Sequence, residues 1–91
     1  MVVTLEEMKQ YLRVDYEEDD QLITGFISSA EHLCRDVLRV DEETDLQGDE
    51  KVRIAVMYAV AYFYEHREEA DHHDLILTLR SLLFGSRKEA F

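Results

Sequence analysis

The residues best placed to bind a metal lie in the second half of the chain. His66, His72, His73 and Asp74 supply nitrogen and oxygen donors within a short stretch. On a helix the side chains of the adjacent histidines would diverge by about 100°, so this pair does not converge on one ion. The sequence also lacks an H-E-x-x-H pattern and a cysteine pair. The pattern favours surface histidines in a polar loop, and no metal site is predicted.

Two acidic stretches suggest calcium binding or acid–base chemistry. Residues 15–20 lack the glycine and the terminal glutamate of an EF-hand loop, and residues 41–50 have Gly48 at the wrong spacing. A carboxylate pair that works as acid and base requires burial to shift one pKa, and these stretches have the composition of exposed turns. We interpret them as solvated acidic surface.

Nucleophilic catalysis and phosphate binding have no support in the sequence. Cys34 falls on an apolar helical stripe and is predicted to lie in the core. There is no phosphate-binding glycine loop and no nucleophile elbow. Tyr58, Tyr62 and Tyr64 have rings that can stack on bases, but their acidic surroundings favour core or interface packing. We therefore predict no catalytic residue, no cofactor and no enzymatic activity.

Composition indicates one small domain that functions inside a cell. The 91 residues carry a net charge of −11 and include one cysteine, which cannot form an intrachain disulfide. Residues 1–50 carry 15 acidic and 4 basic side chains, a balance that argues against ordinary DNA binding. No apolar run approaches the roughly 18 residues of a membrane span, and the first residues do not resemble a signal peptide.

The apolar periodicity predicts an all-α fold, a small bundle of four helices with a long central pair. Proline is absent and only three glycines occur, as expected of a helical chain. Gly25, inside the second helix, is predicted to allow a close helix approach. The predicted helices cover residues 4–13, 19–39, 49–67 and 74–84. The starts of the four helices are signalled in turn by a capping box from Thr4 to Glu7, by Asp15 or Asp19, by Gly48 with Asp49, and by Asp74. Gly85 signals the end of the fourth helix.

The third helix predicts self-association. Residues 52–64 are apolar on nearly every side, and three other helices cannot cover all of that surface. The tail after Gly85 is mostly polar and is predicted to be flexible in isolation. Phe91 is either a docking element that orders on a partner or part of a solvated end with no role. The predicted interface residues are Tyr58, Tyr62, Leu75, Ile76, Leu79 and Phe91.

Beyond these patterns, most of the chain resembles the phage head–tail connector proteins, which act in DNA packaging and head completion of long-tailed phages and prophages. The resemblance depends on the order and spacing of short phrases, since each phrase alone is composed of common residues. The chain departs from the family in lacking proline and in carrying His66 where asparagine is frequent. The similar segments are Leu5–Asp15, Asp20–Ile23, Ser28–Glu31, Val52–Glu68, and the leucines 79, 82 and 83.

The resemblance implies a non-catalytic subunit of a ring, a dodecamer in the virion. Such a ring sits beneath the portal protein, extends the DNA channel and joins the head to tail-completion proteins. The protein would occupy the bacterial cytoplasm before assembly and the head–tail junction afterwards. DNA would pass through without specific binding, repelled by acidic groups at the lumen or surface. The candidates for this acidic surface are Glu17, Glu18, Asp41, Glu42, Glu43 and Asp45.

A second hypothesis from another class remains open. A small acidic protein can act as an antitoxin-like regulator or as an inhibitor that mimics DNA and binds a basic partner. A ring predicts a large discrete oligomer at high concentration, whereas an inhibitor predicts a monomer or dimer.

Overall fold

The described part of the chain forms four α-helices, which confirms the predicted fold class. The computed structural model describes residues 2–41, 46, 48–66 and 73–84. Each helix boundary lies within two residues of its predicted position. The helices are α1, Leu5–Leu12; α2, Asp20–Leu38; α3, Glu50–Glu65; and α4, His73–Leu83.

The helix α1 begins as its sequence predicts, but the residue that ends it does not favour the conformation found there. The hydroxyl of Thr4 accepts the N–H of Glu7 at 3.1 Å, and the carboxylate of Glu7 accepts the N–H of Thr4 at 3.0 Å, forming the predicted capping box. Arg13 ends α1 and Arg39 ends α2, both in the left-handed conformation at φ 61°. This conformation favours glycine, so both helices end with a residue that has no intrinsic preference for it.

The predicted starts of the other three helices have different outcomes. Asp49 caps α3, and its carboxylate accepts the N–H of Lys51 at 2.9 Å and that of Val52 at 3.3 Å. Asp19 occupies the position before α2, but its side chain makes no capping bond there. Asp74 lies inside the first turn of α4 rather than at its cap, because the helix begins at His73.

The core forms where α3 packs against the three other helices. The helix α2 contributes a stripe at helical spacing, from Ile23 to Leu38, and α4 contributes three leucines. Leu46, in the predicted polar linker, is only 1% exposed and anchors that connection in the core. The largest fully buried side chains are Met8, Ile23, Ile27, Leu38, Leu46, Leu75, Leu79, Leu83, Val3, Val52, Val56 and Val60.

Two single-residue predictions for α2 have different outcomes. Cys34 is buried, as predicted, and burial raises the pKa of its thiol to about 12, with the nearby Glu31 carboxylate adding to the shift. Gly25 is exposed, and a Cβ atom built on it would meet no atom within 4 Å. The close helix approach that was expected at Gly25 is therefore absent within the described subunit.

Candidate functional site

The residues predicted to form an interface divide between the core and the surface. Leu75 is 1% exposed and Leu79 is 0% exposed, so their side chains pack inside the subunit. Ile76 and Tyr62 are half-buried, and Tyr58 is 39% exposed. The helical period explains the division, because residues 75, 79 and 83 share the face of α4 that packs against the core. Phe91 lies outside the described residues.

The helix α3 does expose apolar surface, as its composition predicted. One side of it is buried through Val52, Ala55, Val56, Ala59 and Val60. The opposite side presents Ile54, 53% exposed, and Tyr58 one turn later.

A groove continues this exposed side of α3. It has a volume of about 530 Å³ and lies between the end of α1 and the second half of α3. We call it the tyrosine groove, because tyrosine rings make up much of its wall and Tyr11 on its α1 side is 54% exposed. Its lining residues are Tyr11, Leu12, Arg13, Tyr58, Ala61, Tyr62, Tyr64, Glu65 and His66.

Hydrogen bonds and ring stacking hold one end of the tyrosine groove in place. The hydroxyl of Tyr64 donates to the carboxylate of Asp19 at 2.7 Å and lies 3.0 Å from the hydroxyl of Tyr16. The ring of Tyr62 stacks on that of His66 with 4.3 Å between centroids and 21° between planes. The contacts of the Tyr64 hydroxyl link the end of α3 to the turn before α2, and the ring stacking lies within the end of α3.

The electrostatics of this cluster indicate a structural rather than a catalytic tyrosine. The hydrogen bond to Asp19 raises the pKa of Tyr64, and the contact with Tyr16 adds to the shift. Deprotonation would remove the donor and place two negative groups together, so the neutral phenol is favoured. The hydroxyl of Tyr64 therefore donates to Asp19 and holds the turn before α2 against the end of α3.

Two ion pairs fix α1 against the rest of the subunit. The guanidinium of Arg53 on α3 contacts the carboxylate of Glu7, and this contact, with the backbone N–H of Thr4, lowers the pKa of Glu7 to about 2. The ammonium of Lys9 lies 2.7 Å from the carboxylate of Asp20. The α1 side of the tyrosine groove is thus attached to both α2 and α3.

The helix α4 exposes a second apolar surface that the sequence analysis missed. Leu77 is 48% exposed and Phe84 is 77% exposed, and Arg80 lies exposed between them. We call these three residues the outer face of α4. Leu77 and Arg80 are three residues apart on one side of α4, and Phe84 follows directly after the last residue of the helix. The helical period separates residues 75, 79 and 83 from residues 77 and 80, but which set faces inward depends on how α4 packs against α2 and α3.

The structure describes three of the six residues that were predicted to form an acidic surface. Glu17, Glu18 and Asp41 are exposed, and Asp15 beside them is exposed as well. Glu17 and Glu18 lie in the turn between α1 and α2, next to the tyrosine groove through Tyr16. Glu42, Glu43 and Asp45 lie outside the described residues.

The described residues hold no cluster typical of metal chemistry. Within residues 2–41, 46, 48–66 and 73–84, no group of three His, Cys, Asp or Glu side chains converges on a point where an ion could bind. His72 lies outside these ranges. No helix in this part of the chain is long and apolar enough to cross a membrane.

Comparison with known proteins identifies the family. A family model described as phage gp6-like head-tail connector protein matches residues 2–89. No curated protein and no solved structure matches the chain significantly. The family match covers all four helices, the tyrosine groove and the outer face of α4. The chain therefore belongs to the phage gp6-like head-tail connector proteins, a family with a structural role in the phage virion.

Proposed function

We propose that this protein is the repeating subunit of a ring that joins the phage head to the tail. The ring, a dodecamer in the virion, docks beneath the portal protein, extends the channel for packaged DNA and presents a surface to tail-completion proteins. The observation that carries the proposal is the family match over residues 2–89, which includes the whole helical domain.

The surface of the subunit supports an assembly role. Ile54, Tyr58, Leu77 and Phe84 are each more than a third exposed, and large apolar side chains exposed together mark interaction surfaces. A domain of 91 residues also gains much of its stability from any further surface that it buries. Self-association would therefore stabilise this chain as well as build the connector.

The charge of the subunit is compatible with a DNA channel. A net charge of −11 gives a protein that repels phosphates at physiological salt. Carboxylates such as those of Glu17, Glu18 and Asp41 would let DNA slide past if they line the lumen. This acidic surface is the feature that a DNA-mimicking inhibitor would share, so charge alone does not separate the two hypotheses.

The mass and the shape of the assembled particle separate the ring-forming subunit from the acidic regulator. We expect the purified protein to form a discrete high-mass species at high concentration in light scattering, and this species to appear as a ring by electron microscopy. A chain that remains a monomer or dimer at every concentration, and captures a basic protein instead, would favour the regulator.

A genetic experiment tests the role in the virion. Phage that lack this protein should accumulate filled heads and free tails, and the wild-type chain supplied in trans should restore joined particles. Normal joining of heads to tails without the protein would contradict the proposed function.

A further inference from the structure

A closed ring of identical subunits requires two different surfaces on each subunit. Each copy uses one surface toward the preceding neighbour and another toward the next, which is a heterologous contact. The described residues provide two apolar surfaces that differ in shape. The tyrosine groove is concave, and the outer face of α4 projects Leu77 and Phe84 into solvent.

The two surfaces belong to different helices that pack on α3, α1 at the tyrosine groove and α4 at the outer face. The ammonium of Lys51, in the first turn of α3, donates to the carbonyl of Phe84 at 3.2 Å, so the end of α4 lies beside the start of α3. The tyrosine groove is lined by the second half of α3, around Tyr62. A helix rises 1.5 Å per residue, so about 16 Å of α3 separates Lys51 from Tyr62. Phe84 therefore lies about that far along α3 from this part of the groove, and two separate surfaces suit a head-to-tail contact.

The charges around the two surfaces differ. Acidic side chains lie at the tyrosine groove, where Glu65 is in the lining and Glu17 and Glu18 lie in the adjoining turn; Arg13 and His66 are its basic members. On the outer face of α4, Arg80 lies between the two apolar side chains, and Lys51 lies at its end, next to Glu50. Asp74, exposed one turn before Leu77, is the acidic side chain on this side of α4. A guanidinium such as that of Arg80 binds carboxylates and also packs on tyrosine rings.

We propose that, in the ring, the outer face of α4 lies in the tyrosine groove of the neighbouring copy. Leu77 and Phe84 fill the apolar part of the groove, and Arg80 lies against its tyrosines and acidic rim. The proposal depends on the ring-forming function and specifies which surfaces meet. It predicts that Tyr58 and Leu77, on different subunits, face each other across one contact.

Mixing two variants tests this contact directly. Leu77→Asp removes the projecting surface and leaves the groove, and Tyr58→Asp does the reverse. Each variant alone should lose the high-mass species and sediment as the 10.8 kDa subunit with an unchanged helical circular-dichroism signal. Their equimolar mixture should form a dimer and stop there, because only one intact groove and one intact projection remain. Leu22→Asp is the matched control, since Leu22 is 38% exposed on α2 outside both surfaces, and it should retain the ring.

The outcomes separate this contact from the proposed function. A wild-type protein that is monomeric at every concentration would overturn the ring and the contact together. A wild-type ring that persists in both Leu77→Asp and Tyr58→Asp would overturn the contact and leave the ring-forming function intact. A wild-type assembly that ends at a closed dimer would overturn the heterologous ring.

Disulfide cross-linking provides a second measurement that does not depend on introducing a charge. Leu77→Cys and Tyr58→Cys can be made in the native background, because Cys34 is buried and its pKa is raised to about 12. Under mild oxidation, the mixture of the two variants should yield a covalent dimer, and neither variant alone should. A covalent dimer from Leu77→Cys alone would show α4 meeting α4 and would overturn the proposal.

Discussion

At the scale of single residues, Glu7 connects the start of α1 to α3. Its carboxylate contacts the backbone N–H of Thr4 and the guanidinium of Arg53, which lower its pKa from 4.5 to about 2. A group with a lowered folded-state pKa stabilises the fold above its unfolded pKa and loses that contribution as pH falls toward the folded value. We therefore expect Glu7→Gln to lower the melting temperature at pH 7 and to make little difference at pH 2.

The matched control for this prediction is Glu6→Gln. Glu6 is adjacent, exposed and in the same first turn of α1. The measurement is thermal unfolding of the wild type and both variants between pH 2 and pH 7. The melting temperature of Glu7→Gln should approach that of the wild type as the pH falls, and Glu6→Gln should not show this convergence. Equal effects of the two substitutions would mean that Glu7 acts only through the helix dipole.

Gly25 is a position where the subunit gives up helix stability. It lies inside α2, is exposed, and has open space where a Cβ would project. Gly25→Ala should therefore raise the free energy of unfolding by about 1 kcal/mol, measured by chemical denaturation. Gly48→Ala is the control, because Gly48 also has open space but lies in a turn outside the helices, and it should gain less. A loss of stability in Gly25→Ala would contradict this account of the packing.

At the scale of elements, α4 has one face in the core and one at the surface. Leu79→Ala should lower the free energy of unfolding by about 2–5 kcal/mol, because it leaves a cavity beneath α4. A domain of this size has only about 5–15 kcal/mol in total, so Leu79→Asp should unfold the subunit rather than dissociate a ring. Leu77→Ala, on the same helix, should change the stability of the subunit by less than about 0.5 kcal/mol.

Urea denaturation of monomeric protein at low concentration measures this difference. If Leu79→Ala and Leu77→Ala cost the same, α4 does not pack as the structure describes. The expected effect of Leu77→Ala appears instead at high protein concentration, where the substitution weakens the assembly.

At the scale of the whole molecule, the charge should keep the protein away from DNA. We expect no shift of duplex DNA in a gel at physiological salt, because binding requires several cations that neutralise phosphates, and the net charge is −11. The control is a triple variant that neutralises three acids, Asp15→Asn with Glu17→Gln and Glu18→Gln. Any binding that it gains at low salt would show that these acids repel DNA, whereas tight binding by the wild type would contradict the channel proposal.

The helices were predictable from local signals. A capping box, an aspartate cap and apolar periodicity act within a few residues of each other, so the sequence determines them before any tertiary contact forms. The starts of α1 and α3, the buried stripe of α2 and the burial of Cys34 belong to this class. Leu46 does not, because one leucine among polar residues has no period, and its burial depends on the distant helices that it meets.

The location of the candidate interaction surfaces required the tertiary structure. The sequence by itself determined that this chain is helical, strongly acidic and more apolar in α3 than one small domain can cover. Periodicity shows that α4 has two faces, but which face is buried depends on how α4 packs against α2 and α3. The tyrosine groove joins Tyr11 of α1 to Tyr58 of α3, residues far apart in the chain, so only the packing of those two helices creates it.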